Sequence, residues 1–143
     1  MTKPEFNLED FLPYRLSIAA NTVSKRIAKT YAPYKLSRTQ WRVMAVLASC
    51  EKMTAQSVAD KTGMDKTTVS RAVGKLLDRK LIARCSNEND GRSAQLSLSI
   101  AGKATFAKIA PEALRLEQEF KDMFSDTDLA MLTSFLDKFV DGH

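Results

Sequence analysis

At 143 residues with 44% hydrophobic composition, the chain is one domain's worth, well supplied for a core, and no apolar run approaches the roughly 20 residues that span a bilayer. Two cysteines, one histidine at the last position and no glycine-rich phosphate loop leave no zinc set of usual spacing and no histidine-paired nucleophile, so neither an enzyme nor a cofactor is expected. The net charge of +5 is uneven: residues 61–92 hold 8 Lys/Arg against 4 Asp/Glu, whereas residues 93–143 hold 5 against 8, a polarity that suits oriented docking on phosphates.

Residues 1–7 are polar, and the opening stretch MTKPEFNLED has no signal-peptide core or small-residue cleavage site, so a cytoplasmic chain is expected. From Leu8, the positions Leu8, Phe11, Leu12, Leu16, Ala19, Val23, Ile27 and Tyr31 keep helical spacing. Pro13 falls in the first turn of the predicted helix or at a kink leading into it, and Pro33 ends it. Such a helix carries more apolar surface than one small lobe covers, which predicts a partner chain. Arg15 lies on the same stripe. An arginine there needs a counter-charge or water. It would grip the carboxylate of a small-molecule effector, form a salt bridge within or between chains, or snorkel at the stripe's edge.

Ser37 and Gln40 have capping-box spacing, and Leu36 is placed to staple onto Trp41. Trp41, Met44, Ala45 and Ala48 follow at helical spacing, and Cys50 closes the segment. Both Cys50 and Cys85 read as buried structural thiols.

Thr54 to Arg92 reads as a helix-turn-helix followed by a β-hairpin wing. Thr54 is the predicted N-cap of a helix carrying Val58 and Ala59 inward; Gly63 permits the sharp turn, and Asp65 caps a second helix. Val69, Val73, Leu76 and Leu77 form that helix's inward side. Lys66, Thr67, Thr68, Ser70, Arg71 and Lys75 form an outer face of cations and hydroxyls, suited to a major groove. The residues Leu81 to Ser86 and Ala94 to Ser99 alternate in polarity around a loop rich in Asn, Asp and Gly, predicting two antiparallel strands. Arg92 at the tip suits a minor groove, with Asp90 placed to orient it.

Beyond the wing, Ser99 is placed to cap a long helix that Pro111 should kink. Ser125 caps a last one with the stripe Leu129, Leu132, Phe135, Leu136 and Phe139. That stripe has nowhere to bury in a winged lobe; it should pack on the first helix and on a second subunit.

The phrases LSRTQWRVMAVLAS, TVSRAVGKLLDRKLI and NENDGRSAQLSLS, with Asp90-x-Arg92 in the wing, resemble the MarR family of bacterial transcriptional regulators over roughly Leu8 to Phe139. The resemblance implies a mostly α fold with N-terminal dimerisation helix (1–35), winged helix-turn-helix (36–99) and C-terminal dimerisation helices (100–143). It also implies a homodimer on double-stranded, pseudo-palindromic DNA, with repression the commoner outcome. In the family the first two helices line an effector pocket, which makes Trp41 and Met44 candidate walls beside Arg15. Some members with a Leu-Pro-Tyr-Arg-Leu stretch respond to aromatic carboxylates. The alternatives are a thiol-based redox regulator, a ligand-independent DNA-coating protein and a small ligand carrier.

Overall fold

A computed structural model describes residues 5–87 and 90–142, apart from the side chains of residues 86–93. After a single 3-10 turn at Leu8–Asp10, α1 runs from Leu12 to Tyr31 with Pro13 in its first turn, where a missing N–H costs nothing. A second 3-10 turn at Ala32–Tyr34 contains Pro33 and ends the helix, as expected. The capping box forms in full: Ser37 Oγ accepts from the Gln40 N–H at 3.1 Å and Gln40 Oε1 from the Ser37 N–H at 3.1 Å, starting α2 (Arg38–Ser49).

A two-residue strand, β1 (Met53–Thr54), leads into α3 (Ala55–Thr62), and α4 follows at Lys66–Asp78. The α4 helix ends in a Schellman arrangement, in which the Leu81 N–H bonds the Leu76 carbonyl and the Lys80 N–H that of Leu77. Lys80 takes the left-handed position, at φ 59°, that glycine usually fills. The sheet has the order β1-β3-β2, with β2 (Ile82–Asn87) and β3 (Asp90–Leu98) antiparallel and Met53 of β1 opposite Leu96. Beyond the expected hairpin there is therefore a third strand. Ile82, opposite Leu98, supplies the buried face of β2, whereas Arg84 is exposed.

The core joins α2, α3, α4, the sheet and α5 (Ile100–Lys121), with Met44, Val58, Leu76, Leu96 and Ile109 almost wholly buried. Trp41 is stacked between Tyr31, at 5.5 Å, and Phe106, at 5.1 Å, tying α1, α2 and α5 together. An Arg26–Glu119 ion pair at 2.8 Å links α1 and α5 at the surface. α5 continues as helix through Pro111.

α6 (Asp126–Asp141) corrects one expectation. It makes no extended contact with α1 inside the chain and has no buried residue. Its stripe, Leu132, Phe135, Leu136 and Phe139, stays exposed, as do Phe11, Leu12 and Leu16 of the N-terminal segment. Both cysteines are half-buried, not buried as expected: Cys50 sits at the C-terminal cap of α2, and Cys85 Sγ is 3.9 Å from Ser97 Oγ. No helix among the described residues is long and apolar enough to cross a membrane.

Candidate nucleic-acid interface

Local chemistry fixes the helix-turn-helix. Thr54 caps α3 by accepting from the Ser57 N–H at 3.1 Å. Gly63 ends α3 at φ 69°, in the left-handed region where a side chain would be strained. Asp65 then caps α4, accepting from both the backbone N–H and the hydroxyl of Thr68. These bonds hold the Asp65 carboxyl below its usual range, with the Thr68 hydroxyl the main cause. A carboxylate whose folded pKa is depressed stabilises the fold above its unfolded pKa and loses that effect as pH falls through the folded value. Asp65→Ala should therefore lower Tm near neutral pH, with the gap from wild type closing below the ordinary carboxylate range. A gap that persisted in acid would remove the charged cap as the cause.

Val69, Ala72, Val73 and Leu76 face the core, which leaves Lys66, Thr67, Thr68, Ser70, Arg71 and Lys75 exposed along the rest of α4. No ion pair of Lys66, Arg71 or Lys75 is found among the described residues. Thr68 is the exception to a free face, since its hydroxyl proton already goes to Asp65 and only its acceptor side remains for a partner. Beside this face, a niche of about 160 Å³ is lined by Ser37, Thr39, Gln40, Thr68, Arg71 and Lys75. The corner is braced by Arg79, whose guanidinium donates to the Tyr34 and Lys35 carbonyls at 2.8 Å each. Asp90 and Arg92 fall where side chains lie outside the described residues; only the backbone of β3 carries them.

The three residues predicted to line one effector pocket are not brought together within the chain. Met44 is wholly buried in the core. Arg15 is exposed and lines a shallow hollow with Glu9, Asp10, Tyr14, Ile18 and Ala19. Trp41 lines a different cleft of about 170 Å³ between α1 and α2, with Val23, Ser24, Ile27, Tyr31, Arg38 and Arg42. Arg42 Nη1 also donates to the carbonyl of Thr62, the last residue of α3, at 3.2 Å.

Residues 34–93, from the turn before α2 into β3, match the MarR family model. The HTH-type transcriptional regulator SarZ of Staphylococcus aureus (strain MRSA252) is 25% identical over 134 residues, covering 91% of this chain and 89% of the relative. A MarR family transcriptional regulator from Silicibacter pomeroyi DSS is 26% identical, with a TM-score of 0.83 and 97% of each chain covered. Over residues 34–93 the chain carries the MarR family pattern, and its fold throughout is similar to that of MarR family regulators. It is a winged-helix, DNA-binding transcriptional regulator. The fold also matches Bordetella bronchiseptica BpsR, whose DNA binding is regulated by 6-hydroxynicotinic acid, at TM-score 0.85, 21% identity and 96% and 99% coverage.

In this chain, sequence periodicity shows α4's outer face but not Thr39, Arg42 or Arg79. The Arg38–Arg42 spacing of four does put two cations on one side of α2, a signal the sequence offered. Lys75 lies on the flank of α4 toward the niche, exposed and without an ion-pair partner among the described residues, where a duplex phosphate would be within its reach. Lys75→Ala should weaken binding to all duplexes alike and reduce the slope of log K against log[salt] by about 1. An unchanged slope would remove Lys75 from the phosphate contacts.

Proposed function

We propose that this regulator is a homodimeric repressor that sets α4 of each subunit in successive major grooves of a pseudo-palindromic operator, and that a small aromatic carboxylic acid lowers its affinity. The exposed α4 face carries the reading: Arg71, Thr67 and Ser70 are free for base edges, with Lys66 and Lys75 on phosphates. Two-fold symmetry places the half-sites about one helical turn, roughly 10 base pairs, apart. Apolar surface left on α1 and α6 supplies the dimer contact.

We assign the acid to the α1–α2 cleft. Arg38 and Arg42 present two guanidiniums beside the Trp41 ring, and neither has a carboxylate partner among the described residues. Arg15 is the weaker candidate, because Glu9 and Asp10 share its hollow and disfavour an anion. A carboxylate that draws Arg42 from the Thr62 carbonyl would loosen the end of α3 against α2. It shifts the lobe only by its differential affinity for the two states. The regulation of BpsR by 6-hydroxynicotinic acid supports an acid of this class.

Fluorescence anisotropy on the upstream region of the protein's own gene tests this, with 6-hydroxynicotinic acid and salicylate added and scrambled duplex as competitor. Selective binding relieved by an acid is the expected result. Arg42→Met should abolish the relief and Arg15→Ala should retain it; the reverse would return the site to Arg15. Selective binding that no acid relieves would remove the effector and keep the regulator.

A further inference from the structure

Among the described residues two glycines lie inside helices, Gly74 in α4 and Gly102 in α5. A glycine in that setting weakens a helix relative to alanine, because it has more backbone freedom to lose. Gly102 has a reason inside the chain: a Cβ there would lie 1.9 Å from the Leu81 carbonyl oxygen. Gly74 has none. Its φ is not left-handed, and an added Cβ would meet no atom within 4 Å. The fold of the single chain thus gives no reason for glycine at this position.

The position of Gly74 indicates which partner. Gly74 is half-buried; its neighbours on the helix surface are the exposed Thr67, Ser70, Arg71 and Asp78, with Leu77, half-buried against the core, on one flank. The buried residues Val69, Ala72, Val73 and Leu76 take the opposite side. Gly74 is therefore a gap in the ridge of side chains that faces outward. A helix with its side chains is about 10–12 Å across, and the major groove about 12 Å wide. With so little clearance, a bare stretch decides how deep the helix sits.

We infer that Gly74 is the point of closest approach between α4 and duplex DNA, where helix backbone touches the groove and any Cβ would hold the helix off. The inference rests on the proposed docking of α4. Seating at Gly74 brings Arg71, one turn earlier on the same ridge, within reach of base edges. A helix lifted there loses base contacts while its longer Lys side chains still reach phosphates. Gly74 thus acts on sequence selectivity more than on general affinity.

The test uses the full chain and a duplex that the wild type selects from a randomised pool. Gly74→Ala should raise Tm by about 2–4 °C, the ordinary gain for glycine to alanine in an open helix position. The same change should weaken binding to the selected duplex by about tenfold or more, as expected when a good groove contact is lost. Binding to scrambled duplex should change far less. Gly74→Leu should weaken selected binding further without lowering Tm below wild type. Equal affinity of Gly74→Ala and wild type for the selected duplex overturns the inference alone, and so does a fall in Tm, which would give Gly74 a role in the fold. A wild type that selects no duplex overturns the docking of α4 as well.

Discussion

Replacing Phe135 and Leu136 together with glutamate should leave the chain folded, convert a dimer to a 15.9 kDa monomer and remove operator binding. Both side chains lie on α6 with nearly half their surface exposed, 47% and 48%, and α6 buries no residue inside the chain. Substitution at exposed positions ordinarily changes stability by no more than about 0.5 kcal/mol, so the monomer fold has little to lose. A dimer contact has much to lose. Leu132, Phe135, Leu136 and Phe139 form one apolar stripe, and four carboxylates across a two-fold interface would be desolvated without partners. Linked lobes bind a two-part site with avidity about 10²–10⁴ above that of one lobe, which is the expected loss at the operator. Light scattering reads the mass, circular dichroism the helix content and anisotropy the affinity. A variant that stayed dimeric would move the interface off α6. A wild type already monomeric at micromolar concentration would end the two-lobe account.

The parts that were legible in the sequence are those specified by local chemistry. Ser37 with Gln40, Thr54, Asp65, Ser99 and Ser125 each form the cap that their spacing implies, because a cap needs only residues within a turn of one another. Gly63 was readable for the same reason. β1 was not, because two residues are too few for periodicity to register and Thr54 serves both as strand and as cap. Lys80 takes the place of an expected glycine and so carries no signature. Arg15, Trp41 and Met44 do not come together within the chain for a different reason. Spacing assigns a residue to a face of its own helix and says nothing about what that face meets. Met44, one turn from Trp41, points into the core, and Arg15 lies along α1 away from the cleft that Trp41 lines. Arg42 holds the end of α3, twenty residues away in sequence, through a contact that only the fold creates.

Gly102→Ala should destabilise the protein more than any change on the α4 face, and should weaken DNA binding without touching that face. The first turn of α5 grips the joint between α4 and β2. Ser99 Oγ donates to the Lys80 carbonyl at 2.7 Å and the Ser99 N–H to the Leu81 carbonyl at 3.0 Å. Gly102, one turn on, lies so near that an alanine Cβ would stand 1.9 Å from the Leu81 oxygen and 3.3 Å from Leu98 Cδ2. The carbonyl cannot swing aside cheaply, since the N–H of the same residue closes the Schellman turn that ends α4 and the oxygen itself already accepts from the Ser99 N–H. Either α5 moves outward or the turn opens. Overpacking of this kind costs about 1–3 kcal/mol, and a clash with backbone belongs at the upper end, so Tm should fall by roughly 6–10 °C. The displaced joint also sets how α4 stands relative to α5, and hence how the two lobes of the proposed dimer would be spaced. Operator affinity measured well below the new Tm should therefore drop, while affinity for short single half-site duplexes, which need no spacing, should hold. A Tm within about 2 °C of wild type would show that α5 slides freely over Leu81. Equal losses on half-site and full operator would show that the damage lies inside the lobe and not in its attachment to α5.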